Sequence, residues 1–424
     1  MRRLFTAILS ILVCTAAQSR TIRPAEQLYI DPKAASQSKE YIAELKAKAE
    51  SGNHEAQWYL SIAYKDGLGV ETNYNESYYW AAKAAKSGDA EMLYSAGKAM
   101  LRTGHRWKAK KAAKYFAQAV KKEHAPSKYR LGQFYIDGYG VKMNTERGSE
   151  LIHQAANQDV AAAQYYLAKR YKSGTSFLPQ DTRLAIFYYE LAARQGHSNA
   201  QNDLGNIYYN GKLVTKDYDK AVMWYTKSAE GGNKYGQCNL GNCYRLGRGV
   251  EKNYEMAAKW YAKSAAQGWK NAQYQLGLLY YYGRGVAKNY KMAFEHLSKA
   301  AEQEHSGAYY YVGFCYDNGR GVEQDLARAM EFYAAAAESG DIKAHYRLGV
   351  LYAIGKGCLK DAVKAHRHYT IAAEGGNKSA AFYLGEQFQN GVGCTQDIEK
   401  AKYWYQKAAD KGHKYAIEAL KDLQ

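Results

Sequence analysis

Apolar residues recur along most of the chain at spacings of three and four, which is the pattern of amphipathic helices. Residues 272–280 and 290–301 both show it, and Gly283 and Gly285 stand between them. No stretch alternates apolar and polar residues as a half-buried strand does. Because glycine adopts left-handed backbone angles at low cost, we expect the chain to stop and reverse there. The pattern therefore predicts pairs of antiparallel helices.

These helical pairs repeat along the chain. The pattern Leu-Gly-x-x-Tyr, or a close variant, returns many times, and five successive intervals from Gly205 measure 36 residues. Its glycine stands at Gly132, Gly205, Gly241, Gly277, Gly313, Gly349 and Gly385. Three degenerate copies bring the number of units to ten. A period of this length indicates stacked supersecondary units, so the predicted fold class is all-α, an α-solenoid (superhelix) of about ten 36-residue antiparallel helix-hairpin repeats.

The first residues do not follow the repeat. Arg2 and Arg3 precede an apolar run at 4–13, and small residues follow at 15–19. This order is typical of a Sec-type signal peptide, which is removed from the mature chain. We therefore expect a periplasmic or secreted protein, with a eukaryotic secretory pathway as the alternative. No later segment approaches the twenty apolar residues of a membrane-spanning helix, so no transmembrane segment is expected.

The predicted organisation has five parts. They are a signal peptide at 1–19, a linker at 20–38, an N-terminal capping helix at 39–52, ten repeats at 53–413 and a C-terminal capping helix at 414–424. Caps are expected at both ends because a solenoid must cover its terminal apolar faces.

Asparagine or aspartate precedes the second helix of most units, where a side-chain oxygen can accept hydrogen bonds from free backbone N–H groups. These predicted caps are Asn73, Asn144, Asp181, Asp217, Asn253, Asn289, Asp325, Asp361 and Asp397. The chain also contains 42 tyrosines. Most recur at fixed places in the repeat, such as Tyr225 after Trp224, so we expect them to fill the core.

One unit, residues 236–265, combines Leu-Gly-x-x-Tyr, Gly-x-Gly-Val, Asn253 and Trp-Tyr-x-Lys-x-Ala. It resembles the Sel1-like repeat family, which is related to tetratricopeptide repeats, and the resemblance covers about residues 40–424. The resemblance implies a helical solenoid and an adaptor role, with exported bacterial forms that bind host or envelope proteins. Two loops depart from the family pattern, at 103–107 and 174–179.

The chain is strongly basic, with a net charge of +18 from 59 Lys and Arg against 41 Asp and Glu. Removal of Arg2 and Arg3 lowers this charge by only two. Such a balance favours partners with acidic surfaces. The sequence has no zinc-finger spacing, phosphate-binding glycine loop or ribonucleoprotein motif, so nucleic acid is not expected as a partner. The oligomeric state expected is a monomer.

No combination of residues indicates catalysis, a cofactor or a metal. Five cysteines follow the signal peptide, and we expect buried free thiols. The 11 histidines show no metal-ligand spacing, and those at the turns between units, such as His305 and His413, are expected to contact carbonyl groups. Ser95-x-x-Lys98 lacks the partner motifs of a lactam-reactive site. The protein is therefore not expected to be an enzyme.

One column of aromatic residues is a candidate binding surface. The position three before the repeat glycine is aromatic in eight of ten units, where related repeats line a concave face. Its last four members, here called the aromatic ladder, are Tyr274, Tyr310, Tyr346 and Phe382. Rigid amphipathic rings are enriched at interface hot spots. The alternative is that these rings only pack between units.

A second column is basic and lies in the loop after the first helix. Its members recur every 36 residues and are here called the basic ridge: Lys212, Arg248, Arg284, Arg320 and Lys356. Stacking of the repeats would align them along one edge, where they could attract an acidic protein. The alternative is that each cation only interacts with a helix C-terminus.

Together these features predict an exported scaffold or adaptor that binds partner proteins through the concave face and the basic loop edge. A protein that binds cell-wall or anionic glycans is one alternative, since it would use the same aromatic and basic surfaces. A lactam-binding or lactam-hydrolysing enzyme is the other.

Overall fold

A computed structural model describes residues 38–102, 108–175 and 178–423 of the chain. The signal peptide, nearly all of the predicted linker and the unusual loop at 103–107 lie outside these residues. The described residues form 22 α-helices and no strand, which confirms the all-α repeat fold. The chain divides into two compact units, residues 1–181 and 182–424.

The first unit contains eight helices, and a 3-10 turn at Ala85–Ser87 follows the third. The helices are α1 Ser38–Glu50, α2 His54–Asp66, α3 Tyr74–Ala84, α4 Ala90–Arg102, α5 Ala109–Val120, α6 Ala125–Asp137, α7 Thr145–Asn157 and α8 Ala161–Ser173.

The second unit contains the other fourteen helices. They are α9 Thr182–Arg194, α10 Ser198–Asn210, α11 Tyr218–Glu230, α12 Lys234–Leu246, α13 Tyr254–Ala266, α14 Lys270–Tyr282, α15 Tyr290–Glu302, α16 Ser306–Asn318, α17 Leu326–Glu338, α18 Ile342–Ile354, α19 Ala362–Glu374, α20 Lys378–Asn390, α21 Ile398–Ala409 and α22 Lys414–Asp422. From α10 to α21, each first helix packs most extensively on the second helix of its own repeat.

The repeat glycine allows the two helices of a hairpin to approach closely. A Cβ added at Gly205 would lie 2.6 Å from the ring of Tyr225, and one at Gly385 would lie 2.6 Å from the ring of Tyr405. Six of the seven equivalent positions in the second unit hold an almost completely buried tyrosine, and the seventh holds the buried Leu297. The tyrosines are Tyr189, Tyr225, Tyr261, Tyr333, Tyr369 and Tyr405. This large, recurrent ring therefore fills the core of the hairpin, as the tyrosine pattern predicts.

Two glycines in the loop after a first helix have different roles. Gly319 ends α16 in the left-handed conformation, with a φ of 62°. Gly321 also has a positive φ, of 77°, and a Cβ at this position would lie 2.1 Å from the carbonyl oxygen of Tyr290 in the preceding repeat. The first glycine terminates the helix, whereas the second lets the loop contact the neighbouring hairpin.

Polar side chains satisfy the helix ends. The predicted cap residues accept hydrogen bonds from backbone N–H groups at Asn73, Asn144, Asp217, Asn253, Asn289, Asp325, Asp361 and Asp397. Buried glutamines serve the other ends, because Gln57, Gln164 and Gln201 each donate to a carbonyl of the preceding helix at 2.9–3.0 Å. Carbonyls at a helix C-terminus have no partner within the helix, so these bonds stabilise the junction between repeats.

Candidate functional site

The basic ridge lies entirely within the second unit. Its members occupy equivalent places in the loops that follow α10, α12, α14, α16 and α18. All except Arg320 are exposed, and Arg320 is half-buried. The structure therefore places one cation at the same position in each of five successive repeats.

Tyrosines hold the three arginines of the ridge. Arg248 donates a 2.5 Å hydrogen bond to the hydroxyl of Tyr209 and lies over the rings of Tyr209 and Tyr218, at 5.5 and 5.6 Å from their centroids. Arg284 lies 5.8 Å from the ring of Tyr254. All three rings belong to the repeat that precedes the arginine. Each of these guanidinium groups thus joins two repeats through a cation–π contact and retains its full charge.

Arg320 shows the same arrangement in its most enclosed form. It donates a hydrogen bond to the hydroxyl of Tyr281 and lies 5.1 Å from the ring of Tyr290, both in the preceding repeat. The ring of Phe314 contacts it from its own repeat at 5.2 Å. Aromatic rings therefore position three of the five charges of the ridge.

The rings of the aromatic ladder are half-buried, and two of them stack on the histidine that directly precedes the next helix, α16 or α22. Tyr274 stacks on His305 with ring centroids 4.3 Å apart, and Phe382 stacks on His413 at 4.6 Å. Burial raises the pKa of Tyr310 to about 12, so its hydroxyl stays neutral at physiological pH. The ladder therefore contributes to packing between repeats, and only the uncovered part of each ring is available to a partner.

The stacking of these histidines corrects the expectation that turn histidines contact carbonyls. A planar imidazole at this turn, the last residue of its repeat, lies against the ladder ring of the same repeat. At His197, Nδ1 instead accepts a 3.2 Å hydrogen bond from the backbone N–H of Ala200 and caps α10. Burial lowers the pKa of His197 and His305, which keeps both rings neutral near pH 7.

The cysteines differ from the prediction in part. All five described cysteines are free, and Cys238, Cys243 and Cys315 are buried as expected. Cys358 and Cys394 are only half-buried, because both lie in the loop after a first helix. Burial raises the pKa of Cys315 to about 12, so this thiol stays protonated and unreactive.

The described residues offer no cluster of metal ligands, and none of their helices is long and apolar enough to cross a membrane. The Ser95 hydroxyl accepts a 3.0 Å hydrogen bond from the indole N–H of Trp58, an inter-repeat contact. Burial, together with neighbouring cations, lowers the pKa of Lys98.

Sequence reasoning missed a group of asparagines on α10 and α12, which lie in a concavity of the second unit. Asn202 and Asn206 line the concavity from α10, and Asn199 precedes them on the same face of that helix without lining it, since the three are spaced by three and four residues. Asparagine is a poor helix former, which makes three of them on one face a signal of another role. That spacing could have identified the group from the sequence.

Comparison with protein families gives a match to the Sel1 repeat. Nine copies are found, at 54–89, 125–160, 161–197, 198–233, 234–269, 270–305, 306–341, 342–377 and 378–413. These segments cover most of the chain and leave out 90–124, which contains α4 and α5. This gap contains one of the three degenerate copies of the repeat, the second unit along the chain.

Two solved structures are similar over much of their length. A protective antigen of uropathogenic Escherichia coli with an SLR fold is 30% identical, with a TM-score of 0.73, and the match covers 90% of this chain and 82% of that one. A Sel1 repeat protein from Oxalobacter formigenes is 31% identical, with a TM-score of 0.52, and the match covers 77% of this chain and 93% of that one.

Curated relatives match over shorter segments. The chitin synthase regulator SKT5 of Saccharomyces cerevisiae is 29% identical over 41% of this chain, and chitin synthase regulatory factor 3 of Schizosaccharomyces pombe is 31% identical over 38%. The matched segments span 26% and 18% of these two relatives. The likeness therefore covers only a part of each of these two relatives.

Proposed function

The chain belongs to the Sel1 repeat family, and from this premise we propose that it is an exported scaffold that binds an acidic surface of a partner protein along its second unit. Sel1 repeat proteins are in general non-enzymatic scaffolds for protein interactions, and the curated relatives are regulators. The acidic partner, the contact surface and the export are the parts that we propose.

The basic ridge carries this proposal. Arg248, Arg284 and Arg320 are each held by aromatic rings of the preceding repeat, so little side-chain entropy remains to be lost when a partner binds. A row of like charges also steers an oppositely charged partner during encounter and fixes its register. The repeats of Arg284, Arg320 and Lys356 each also carry one residue of the aromatic ladder, which would supply apolar contact area.

Charge reversal tests the ridge. In the ridge variant Arg248, Arg284 and Arg320 are changed to glutamate, and capture of proteins from cells that naturally produce the chain is compared with wild type at low salt. We expect the ridge variant to lose the captured proteins, because surface charge interactions dominate at low ionic strength.

A matched control separates the position of the charges from the net charge. Lys46, Lys86 and Lys122 are exposed residues of the first unit, and changing them to glutamate alters the net charge equally. This control should capture the same proteins as wild type. Equal capture by the ridge variant and wild type, with both proteins folded by circular dichroism, would exclude the ridge as the contact surface.

Export is tested separately with the N-terminal segment. Residues 1–30 are fused to a reporter enzyme that is active only after export, and the control carries Arg2→Glu and Arg3→Glu. We expect activity from the native segment and its loss in the control, since a signal peptide needs a positive N-terminal region. An inactive native fusion would show that the segment does not direct export.

A further inference from the structure

A polar groove crosses the first helices α10, α12 and α14 in the second unit, with a volume of about 550 Å³. Its lining includes four asparagines, here called the floor, and two aromatic residues, here called the wall. The floor is Asn202, Asn206, Asn239 and Asn242, and the wall is Tyr235 and Trp269. These six residues are here called the asparagine groove, and Tyr274 of the aromatic ladder also borders it. Neither the basic ridge nor the family match assigns a role to it.

Hydrogen bonds fix the floor of the groove. The Asn239 side chain donates from Nδ2 to Oδ1 of Asn202 at 2.9 Å and to Oδ1 of Asn206 at 3.3 Å. Asn202 in turn donates to Oδ1 of Asp203 at 3.3 Å. Four polar side chains from two neighbouring repeats are thus connected, and their orientations are set before any ligand binds.

Two buried tyrosines orient the carboxamides further. Tyr225 donates to Oδ1 of Asn206 at 2.8 Å, and Tyr261 donates to Oδ1 of Asn242 at 2.7 Å. Because each oxygen is held by a tyrosine, the Nδ2 group points away from it, and within the described chain it has no acceptor. Oδ1 of Asn239 likewise accepts no hydrogen bond from a described residue. The floor therefore offers two free donors and one free acceptor.

The asparagines are not needed for packing. The positions equivalent to Asn206 and Asn242 in the next three repeats are Leu278, Phe314 and Val350. The fold thus accepts apolar residues at this place, and asparagine has a lower helix propensity than leucine. A contact outside the chain would explain their presence better than stability does.

The wall of the groove is aromatic. The rings of Tyr235 and Trp269 meet edge to face with centroids 4.7 Å apart, and Tyr235 is 39% exposed. An aromatic face offers a large apolar contact area, and it lies next to the polar floor.

We propose that the asparagine groove binds an uncharged pyranose glycan. A sugar hydroxyl both donates and accepts hydrogen bonds, so neighbouring hydroxyls match the free amide donors and the free acceptor. The apolar C–H face of a pyranose ring fits the aromatic wall. The free groups of the floor are neutral amides, which suit uncharged hydroxyls. The charges nearby have both signs, since Asp203 lines the groove and Lys234 lies over the rings of the wall at 5.5 and 5.6 Å. This site does not depend on the proposed scaffold function.

The test uses an array of neutral and acidic oligosaccharides as the probe, followed by calorimetry with the neutral sugars that bind. The groove variant carries Asn206→Leu and Asn242→Leu, which introduces the residue found at Leu278. The matched control carries Asn210→Leu and Asn390→Leu, which both lie at exposed ends of first helices. The residue equivalent to Asn210 in the next repeat is Leu246. We expect wild type and the control to bind a neutral glycan equally, and the groove variant to bind at least tenfold more weakly.

A milder variant tests the positioning role of the tyrosines. Tyr225→Phe and Tyr261→Phe keep the buried rings and remove only the hydroxyls that orient Asn206 and Asn242. We expect a several-fold loss of glycan affinity in a chain that still unfolds cooperatively. Tyr225→Phe alone should show the loss too, since the Tyr261 hydroxyl also accepts a hydrogen bond from Arg245 at 3.2 Å. A purely structural role would lower the melting temperature and leave the affinity unchanged.

Three results would overturn the proposal. The first is an array on which wild type binds no neutral glycan. The second is a glycan that the groove variant binds as well as wild type. The third is a peptide selected from a random twelve-residue phage library that binds wild type and is lost only in the groove variant, since the groove would then recognise peptide. The ridge variant should still bind the glycan, so failure of the scaffold proposal and failure of this one are distinguishable.

Discussion

Substitution of Gly321 by alanine should destabilise the contact between two repeats. The residue has a φ of 77°, so alanine there adopts a left-handed conformation that costs about 1–2 kcal/mol. The added Cβ would also lie 2.1 Å from the carbonyl oxygen of Tyr290. Relief of this overlap must move the loop or α15, and overpacking of this kind costs about 1–3 kcal/mol. The expected loss of unfolding free energy is therefore about 2–5 kcal/mol.

Gly268 provides the matched control for the backbone cost. Its φ is 76°, and an added Cβ would have no atom within 4 Å. Gly268→Ala should therefore cost only about 1–2 kcal/mol, the left-handed conformation alone. The difference between the two variants isolates the contact between the loop and the preceding repeat.

Urea unfolding followed by far-UV circular dichroism measures both variants. Hydrogen exchange should show in addition that Gly321→Ala opens α15 and α17 more often than Gly268→Ala does, because repeats unfold locally. Equal losses in the two variants would refute the reasoning, since the second loop glycine would then have no contact to lose.

Three further predictions concern single groups of the second unit. Asp317→Asn should lower the unfolding free energy by about 2–3 kcal/mol in urea, because Arg347 and Tyr333 both donate to this buried carboxylate and would lose its charge; no change would contradict the pairing. Burial and then His345 lower the pKa of His368 to about 4, so the unfolded state binds more protons between about pH 4 and 6.5, and stability rises with pH in that window. His368→Phe should reduce this rise in unfolding free energy by about 2 kcal/mol, a value lowered to allow for solvent screening of the partly exposed ring. An unaltered pH dependence would show that His368 does not cause the rise. Alkylation with iodoacetamide followed by mass spectrometry should label the half-buried Cys358 before any buried cysteine of the native chain, and the reverse order would contradict the burial.

Much of the fold could be predicted because the repeat imposes the same physical demands on every unit. Asn253 and its equivalents cap second helices, and a glycine such as Gly247 ends the first helix in most units. The contact of Gly321 with Tyr290 could not be predicted, because it depends on how closely one hairpin packs on the next. The 36-residue period predicts the order of the repeats, but it does not predict how closely neighbouring hairpins pack.

For the basic ridge, the sequence predicts only the position of each cation within its repeat. The spacing of Arg248, Arg284 and Arg320 predicts one cation in each repeat, but it does not show that tyrosines of the preceding repeat hold them. That contact arises from the loop conformation, which brings each guanidinium over rings that lie about thirty residues earlier in the chain. The asparagine groove combines side chains of α10 and α12 with Trp269, which precedes α14, so only the spacing of asparagines on α10 indicated it.

Site-specific photo-crosslinking tests the central claim, that the second unit holds a partner protein, most directly. A photoreactive phenylalanine analogue replaces Tyr310 in the aromatic ladder or, as the control, Tyr403, which is 53% exposed on the second helix α21. In cells that naturally produce the chain, position 310 should crosslink to a protein with an acidic surface, identified by mass spectrometry. The ridge variant should abolish this product, and position 403 should not form it. Absence of a crosslink at position 310, or an equal yield in the ridge variant, would contradict the account.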